Sequence, residues 1–178
     1  MHLDEFTQHQ PHFALEDYFH GETRAYGLFE DRFGRVRKQF SVLIDGHWDG
    51  QTLTLDEDFI YDNGDSEYRH WQIEKTGPRH YVGTTQQIIG TAEGEISGNS
   101  FHWTYRFHLK VGKGIWDVRF DDWMYLQPDG VLLNKATVYR WGIKIGTVFL
   151  TFSKGRTAGR DRTGDLAVEE IRAAARVG

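Results

Sequence analysis

A chain of 178 residues with a net charge of −5, no cysteine and three prolines is long enough for one domain with a sizeable core. It excludes a disulfide framework and thiolate chemistry, and its mixed charges speak against a nucleic-acid partner, which favours a basic face. Six Trp, eight Tyr, twelve Phe and twenty Gly instead suit many strands joined by tight turns.

The N-terminus, MHLDEFTQHQ, is polar and acidic and unlike a signal peptide. The chain as it stands therefore reads as cytoplasmic, whereas a removed signal would place it in the cell envelope. No apolar run reaches the roughly 18 residues of a membrane-spanning helix. Residues 1–12 read as a flexible arm whose irregularly spaced His2, His9 and His12 have no metal-site spacing. Pro11 to Phe19 can form one or two helical turns, a short plug for an open barrel end.

From Gly21 the pattern is β. Gly21, Thr23, Ala25, Gly27 and Phe29 form a row of small residues that permits a bend or close packing. Arg32-Phe-Gly-Arg35 is a turn, followed by an inward row of Val36, Lys38, Phe40, Val42 and Ile44. Leu53, Leu55, Glu57, Phe59 and Tyr61 share the next face. After the turn Asp62-Asn-Gly-Asp65, Glu67, Arg69, Trp71 and Ile73 run in phase. Weaker strands span His80 to Ile89 and Thr91 to Ile96, divided at Gly90.

The strongest pattern is FHWTYRFHLKVGKGIWDVRFDDWMYL, residues 101–126. Phe101, Trp103, Tyr105, Phe107, Leu109 and Val111 alternate with polar residues, a strand with one dry and one wet face. After a Gly-Lys-Gly turn, Trp116, Val118, Phe120, Met124 and Leu126 keep the phase, and Asp122 shares it. Val131 to Trp141 and Ile143 to Ser153 complete about ten strands with short connections. Such a meander best avoids exposed edges by closing into a barrel. The domain then spans residues 13–154, and 155–178 form a Gly- and Arg-rich tail with a short helical pattern after Asp165.

Four polar residues fall on apolar rows: Glu57, Arg69, Asp122 and Asn134. Buried charges are costly alone, so these groups should meet, with Arg69 as a hub whose planar fork takes two carboxylate oxygens. Three readings stay open. The cluster can be a structural ion-pair network closing one end of the barrel. It can anchor a ligand carboxylate or phosphate through Arg69, under an aromatic wall of Tyr61, Trp71, Trp103 and Tyr105. Or Glu57 or Asp122, beside aromatic rings, can serve as general acid or base. His102 and His108 lie on the wet face about 20 Å apart along the strand, too far to share a metal. No metal-ligand, nucleophile-elbow or phosphate-loop motif occurs, so neither metal nor cofactor is expected.

Phe19-His-Gly, Asp31-Arg-Phe-Gly34, Leu55-x-Glu57-x-Phe59-x-Tyr61, Arg69-x-Trp71, Phe120-Asp-Asp-Trp-Met-Tyr-Leu126 and Asn134 together resemble an uncharacterised bacterial family of lipocalin-like domains of unknown function. Its members are often predicted envelope lipoproteins. The resemblance covers about residues 13–154 and implies a calycin-type, up-and-down antiparallel β-barrel. It also implies association with a membrane periphery, although this chain shows neither a signal nor a lipid-accepting Cys. The combined expectation is a binding protein for a small hydrophobic or amphipathic ligand, such as a fatty acid or other lipid. The alternatives are a lipocalin-like hydratase, isomerase or cyclase, or a filled barrel serving as an interaction module.

Overall fold

The structure, a computed structural model, describes residues 1–155. The sequence's tail from residue 156, with its helical pattern, lies outside the described residues. Ten strands follow one short helix, α1 (Leu15–Phe19): β1 (Gly21–Asp31), β2 (Val36–Trp48), β3 (Thr52–Tyr61), β4 (Ser66–Lys75), β5 (His80–Thr84), β6 (Ile88–Ser97), β7 (Ser100–Val111), β8 (Gly114–Leu126), β9 (Leu132–Arg140) and β10 (Ile143–Lys154). Each strand pairs antiparallel with its chain neighbours, and β10 returns to β1, with Thr23 opposite Lys154 and Asp31 opposite Gly146. The result is a closed barrel of the calycin-like type.

The period-two rows set the inner face. Ala25, Val42, Ile44, Leu53, Trp71, Phe101, Trp103 and Phe107 are all buried, each on an alternating position of its strand. One boundary differs from the sequence pattern. The turn between β5 and β6 falls at residues 85–87, and Gly90 lies inside β6, where its positive φ of 79° accompanies an irregular register between Ile89 and Glu93. Glycine within a strand marks a bulge here and not a strand end.

The helix closes one end, as the plug pattern indicates. Phe13, Leu15, Tyr18 and Phe19 are buried, and the Phe19 ring meets Phe152 edge-on at 5.6 Å. Gly46 of β2 is obligatory for this closure, since a Cβ there would stand 1.7 Å from the Phe19 carbonyl oxygen. Glu16 is tied to the wall by Lys75 Nζ and by the Tyr81 hydroxyl, which donates at 2.7 Å. The Tyr18 hydroxyl donates to the Gly130 carbonyl at 2.9 Å. Tyr18→Phe removes this tie while keeping the ring. It should cost about 1 kcal/mol, read as a fall in Tm of roughly 2–4 °C without change in the circular dichroism spectrum.

Residues 1–12, which the sequence reads as an arm, lie against the barrel. Leu3–Phe6 form a 3-10 turn against the outside of the barrel. Phe6 lies 6.1 Å from the Trp123 ring and 5.5 Å from the Tyr125 ring, and Phe13 N–H donates to the Gly98 carbonyl at 2.9 Å. The physical reason is on the wet face of β8: two outward aromatic rings gain a cover that removes apolar surface from water.

Candidate functional site

Turns alternate between the two barrel ends. The β1–β2, β3–β4, β5–β6, β7–β8 and β9–β10 turns surround the end opposite α1. A cavity of about 1770 Å³ runs from that mouth down to Leu15 and Phe19, larger than the roughly 300–1,000 Å³ of ordinary ligand pockets. The interior is therefore not filled. Trp71, Trp103, Trp116 and Phe120 line the cavity, which removes the basis for the filled-barrel expectation.

Two polar groups interrupt the apolar wall. The deeper one centres on Asp122, opposite Trp103 across the β7–β8 ladder. Asn134 donates through Nδ2 to Asp122 Oδ1 and to the Trp123 carbonyl at 3.1 Å. Trp103 Nε1–H donates to Oδ2 at 3.1 Å, with the Tyr105 hydroxyl at 3.4 Å from the same oxygen. Burial pushes the Asp122 carboxyl above its ordinary value, although these donors oppose the shift.

The second group lies toward the mouth, on β3 and β4. Glu57 stands opposite Arg69 in the ladder. Its carboxyl is pushed up to about 7, chiefly by burial and further by the charges of Glu67 and Asp122. The Arg69 charge and a hydrogen bond from Trp71 resist the shift. Arg69 donates through Nε to Glu67 Oε1 at 2.9 Å and through Nη2 to Oε2 at 3.2 Å. Its guanidinium sits over the Phe59 ring at 4.5 Å and the Phe107 ring at 5.1 Å. The Tyr61 hydroxyl donates to Glu67 Oε2 at 2.8 Å. Burial works to raise the Glu67 carboxyl, but Arg69 and Tyr61 hold it below its ordinary value.

All eight sequence-derived positions, Glu57, Tyr61, Arg69, Trp71, Trp103, Tyr105, Asp122 and Asn134, line the cavity. Their pairing differs from the expected hub. Arg69 bonds Glu67, not Glu57 or Asp122, and Asp122 is held by Asn134 and the aromatic donors. Glu67 lies two residues before Arg69 on the same face, so the two side chains meet without crossing the cavity. Glu67 was the residue missed; its shared phase with Arg69 was the available signal.

The remaining titratable pairs lie outside both polar groups. His70 meets Asp56 at 2.7 Å and His102 meets Asp121 at 2.8 Å on the outer face, and His108 meets Asp117 at 2.6 Å at the rim of the mouth. No group of three or more His, Cys, Asp or Glu among the described residues is placed to hold a metal ion.

Comparison with solved structures finds the S-type phycobiliprotein lyase CPES from Guillardia theta, with a TM-score of 0.58 and 10% identity over 82% of this chain and 95% of that one. This likeness shows the fold, a lipocalin-like barrel. No curated protein sequence matches the chain. A family model described as a protein of unknown function, DUF3833, matches residues 1–154, and the chain belongs to that family.

Proposed function

We propose that the protein binds one small amphipathic ligand inside the barrel, with an apolar body in the aromatic cavity and an oxygen-bearing head near Arg69 and Glu57. The cavity carries this reading: it opens at one end only, and its apolar wall is broken by a few convergent polar groups, the usual make-up of a ligand site. Glu67 takes two of the five guanidinium N–H groups, and a ligand oxygen would meet the rest. A carboxylic acid head suits this chemistry, since one oxygen can accept from Arg69 while its proton is shared with Glu57, whose pKa is near 7. A fatty acid is the simplest ligand of that class.

Glu57 also favours a second reading, general acid–base catalysis on the bound ligand, because an acid that titrates near the working pH transfers protons most efficiently. Native mass spectrometry of gently purified protein, followed by solvent extraction, tests the first reading. The expected result is an added mass that extraction removes, with thermal stabilisation by medium- and long-chain fatty acids. Arg69→Gln should weaken that binding by roughly 10- to 100-fold, the worth of a hydrogen bond to a charged donor. A clean protein mass together with no stabilisation by any fatty acid would overturn it. Conversion of the recovered compound by wild type but not by Glu57→Gln would favour the second.

A further inference from the structure

The mouth of the cavity is not uniform. Around the barrel the strands run β1-β10-β9-β8-β7-β6-β5-β4-β3-β2, so the β1–β2, β9–β10 and β7–β8 turns are neighbours on one arc of the rim. Residues 32–37, 140–144 and 110–115 make up that arc. They carry seven Lys and Arg and no Asp or Glu, in a chain whose net charge is −5. The bordering acids are engaged: Asp31 with Arg37 at 2.6 Å and Asp117 with His108 at 2.6 Å. The opposite arc, with Asp62, Asn63 and Asp65 in one turn and Gln86 and Gln87 in the other, is acidic to neutral.

The same three turns display apolar side chains at their tips. Trp141 is 83% exposed, Ile115 71% and Phe33 70%, and Val36, Val111 and Ile143 are also exposed. Trp141 and Gly142 have φ of 52° and 78°, the pair of positive values typical of a tight two-residue hairpin turn. A bulky aromatic is disfavoured in that conformation, yet here it is held at the turn's outermost point. Arg140 lies over the Trp141 ring at 4.1 Å and Arg32 over Phe33 at 4.7 Å, so each aromatic tip carries its own cation.

We infer that this arc docks the mouth of the barrel onto an anionic lipid bilayer. The tips belong to separate turns, so a rigid partner would need three matching sockets. A fluid interface accepts separated tips without complementary shape. Trp belongs at the headgroup level, and clustered Lys and Arg are drawn to anionic headgroups. Docking in this way turns the cavity mouth toward the lipid. It rests on the rim alone and goes beyond the ligand reading above.

The test is flotation of the full chain with phosphatidylcholine vesicles, with and without phosphatidylglycerol. Binding is expected only with the anionic lipid, and it should fall as salt rises. The exposed-turn triple variant Arg35→Glu, Lys113→Glu, Lys144→Glu should bind on the order of a hundredfold more weakly. Trp141→Ser should weaken binding and remove quenching of protein fluorescence by brominated lipid. Lys135→Glu, on the exposed outer wall, should leave binding unchanged. No binding to anionic vesicles, or binding that the triple variant and Trp141→Ser leave intact, would overturn the inference. So would retention on single-stranded DNA in place of vesicles.

Discussion

Arg69→Met should cost about 3 kcal/mol of folding stability at pH 8, and adding Glu67→Gln should recover most of the loss. Arg69 makes two hydrogen bonds to Glu67 and stacks between Phe59 and Phe107. Without the cation, Glu67 keeps the Tyr61 hydroxyl and lies diagonally from Glu57, one pair along the same inner face of the ladder, where each charge disfavours the other. Breaking a buried pair from one side costs about 3–5 kcal/mol, whereas replacing both partners is often close to neutral. The lower end applies because the side chains border an open cavity, with 20% of the Arg69 and 33% of the Glu67 side chain exposed.

The sign with pH follows from Glu67. In the native protein its carboxyl is held below its ordinary 4.5, so the stabilisation is present above that value and lost as pH falls through the lowered one. In the variant the carboxyl takes up a proton more readily and the deficit shrinks on acidification. Urea denaturation of wild type, single and double variants at pH 8 and pH 5 reads both effects. Equal losses in single and double variants would show that Arg69 acts through its packing alone. A loss below about 1 kcal/mol would make the pair no stronger than a surface ion pair.

The inner face of the barrel was legible in the sequence because alternation is local. Residues 101–126 fix their own register: Trp103 opposes Asp122, and Tyr105 opposes Phe120, as the shared phase around one turn requires. Closure was inferred from the need to avoid edges, and the β1–β10 pairing meets that need. Which inward groups touch was not legible. Glu57, Glu67 and Asp122 all share the interior with Arg69, and periodicity gives a face without giving a height or a rotamer. The choice of Glu67 depends on the Phe59 and Phe107 rings that steer the guanidinium. Cavity size was equally out of reach, since the same aromatic rows can interlock across a narrow barrel or line a wide one. The packing of residues 3–6 depends on Trp123 and Tyr125, which alternation alone assigns to solvent.

Stability should pass through a maximum near pH 5, and Glu57→Gln should remove most of the decline from there to pH 8. Glu57 titrates near 7 in the fold against 4.5 for its ordinary value. A raised acid binds more protons folded than unfolded between those values, so stability falls as pH rises through that window. The full difference corresponds to about 3 kcal/mol, an upper figure because the cavity admits solvent. Asp122, also raised, acts in the same direction. Glu16 and Glu67 are held low and act oppositely, but their contribution is lost only below their ordinary 4.5. The two tendencies meet near pH 5. The amide introduced by Glu57→Gln keeps an acceptor for the Trp71 indole and carries no charge, so the variant should match wild type at pH 5 and exceed its stability at pH 8. Thermal unfolding across pH 4–9 reads this directly, and parallel curves for the two proteins would sink the assignment to Glu57. The decline reflects the penalty of holding an ionisable carboxyl among aromatic rings. A fatty-acid head brings no proton to the ionised Glu57 at pH 8, where both carboxyls are charged, whereas at pH 5 Glu57 already holds the proton the two groups share, so fatty-acid stabilisation should be smaller at pH 8 than at pH 5.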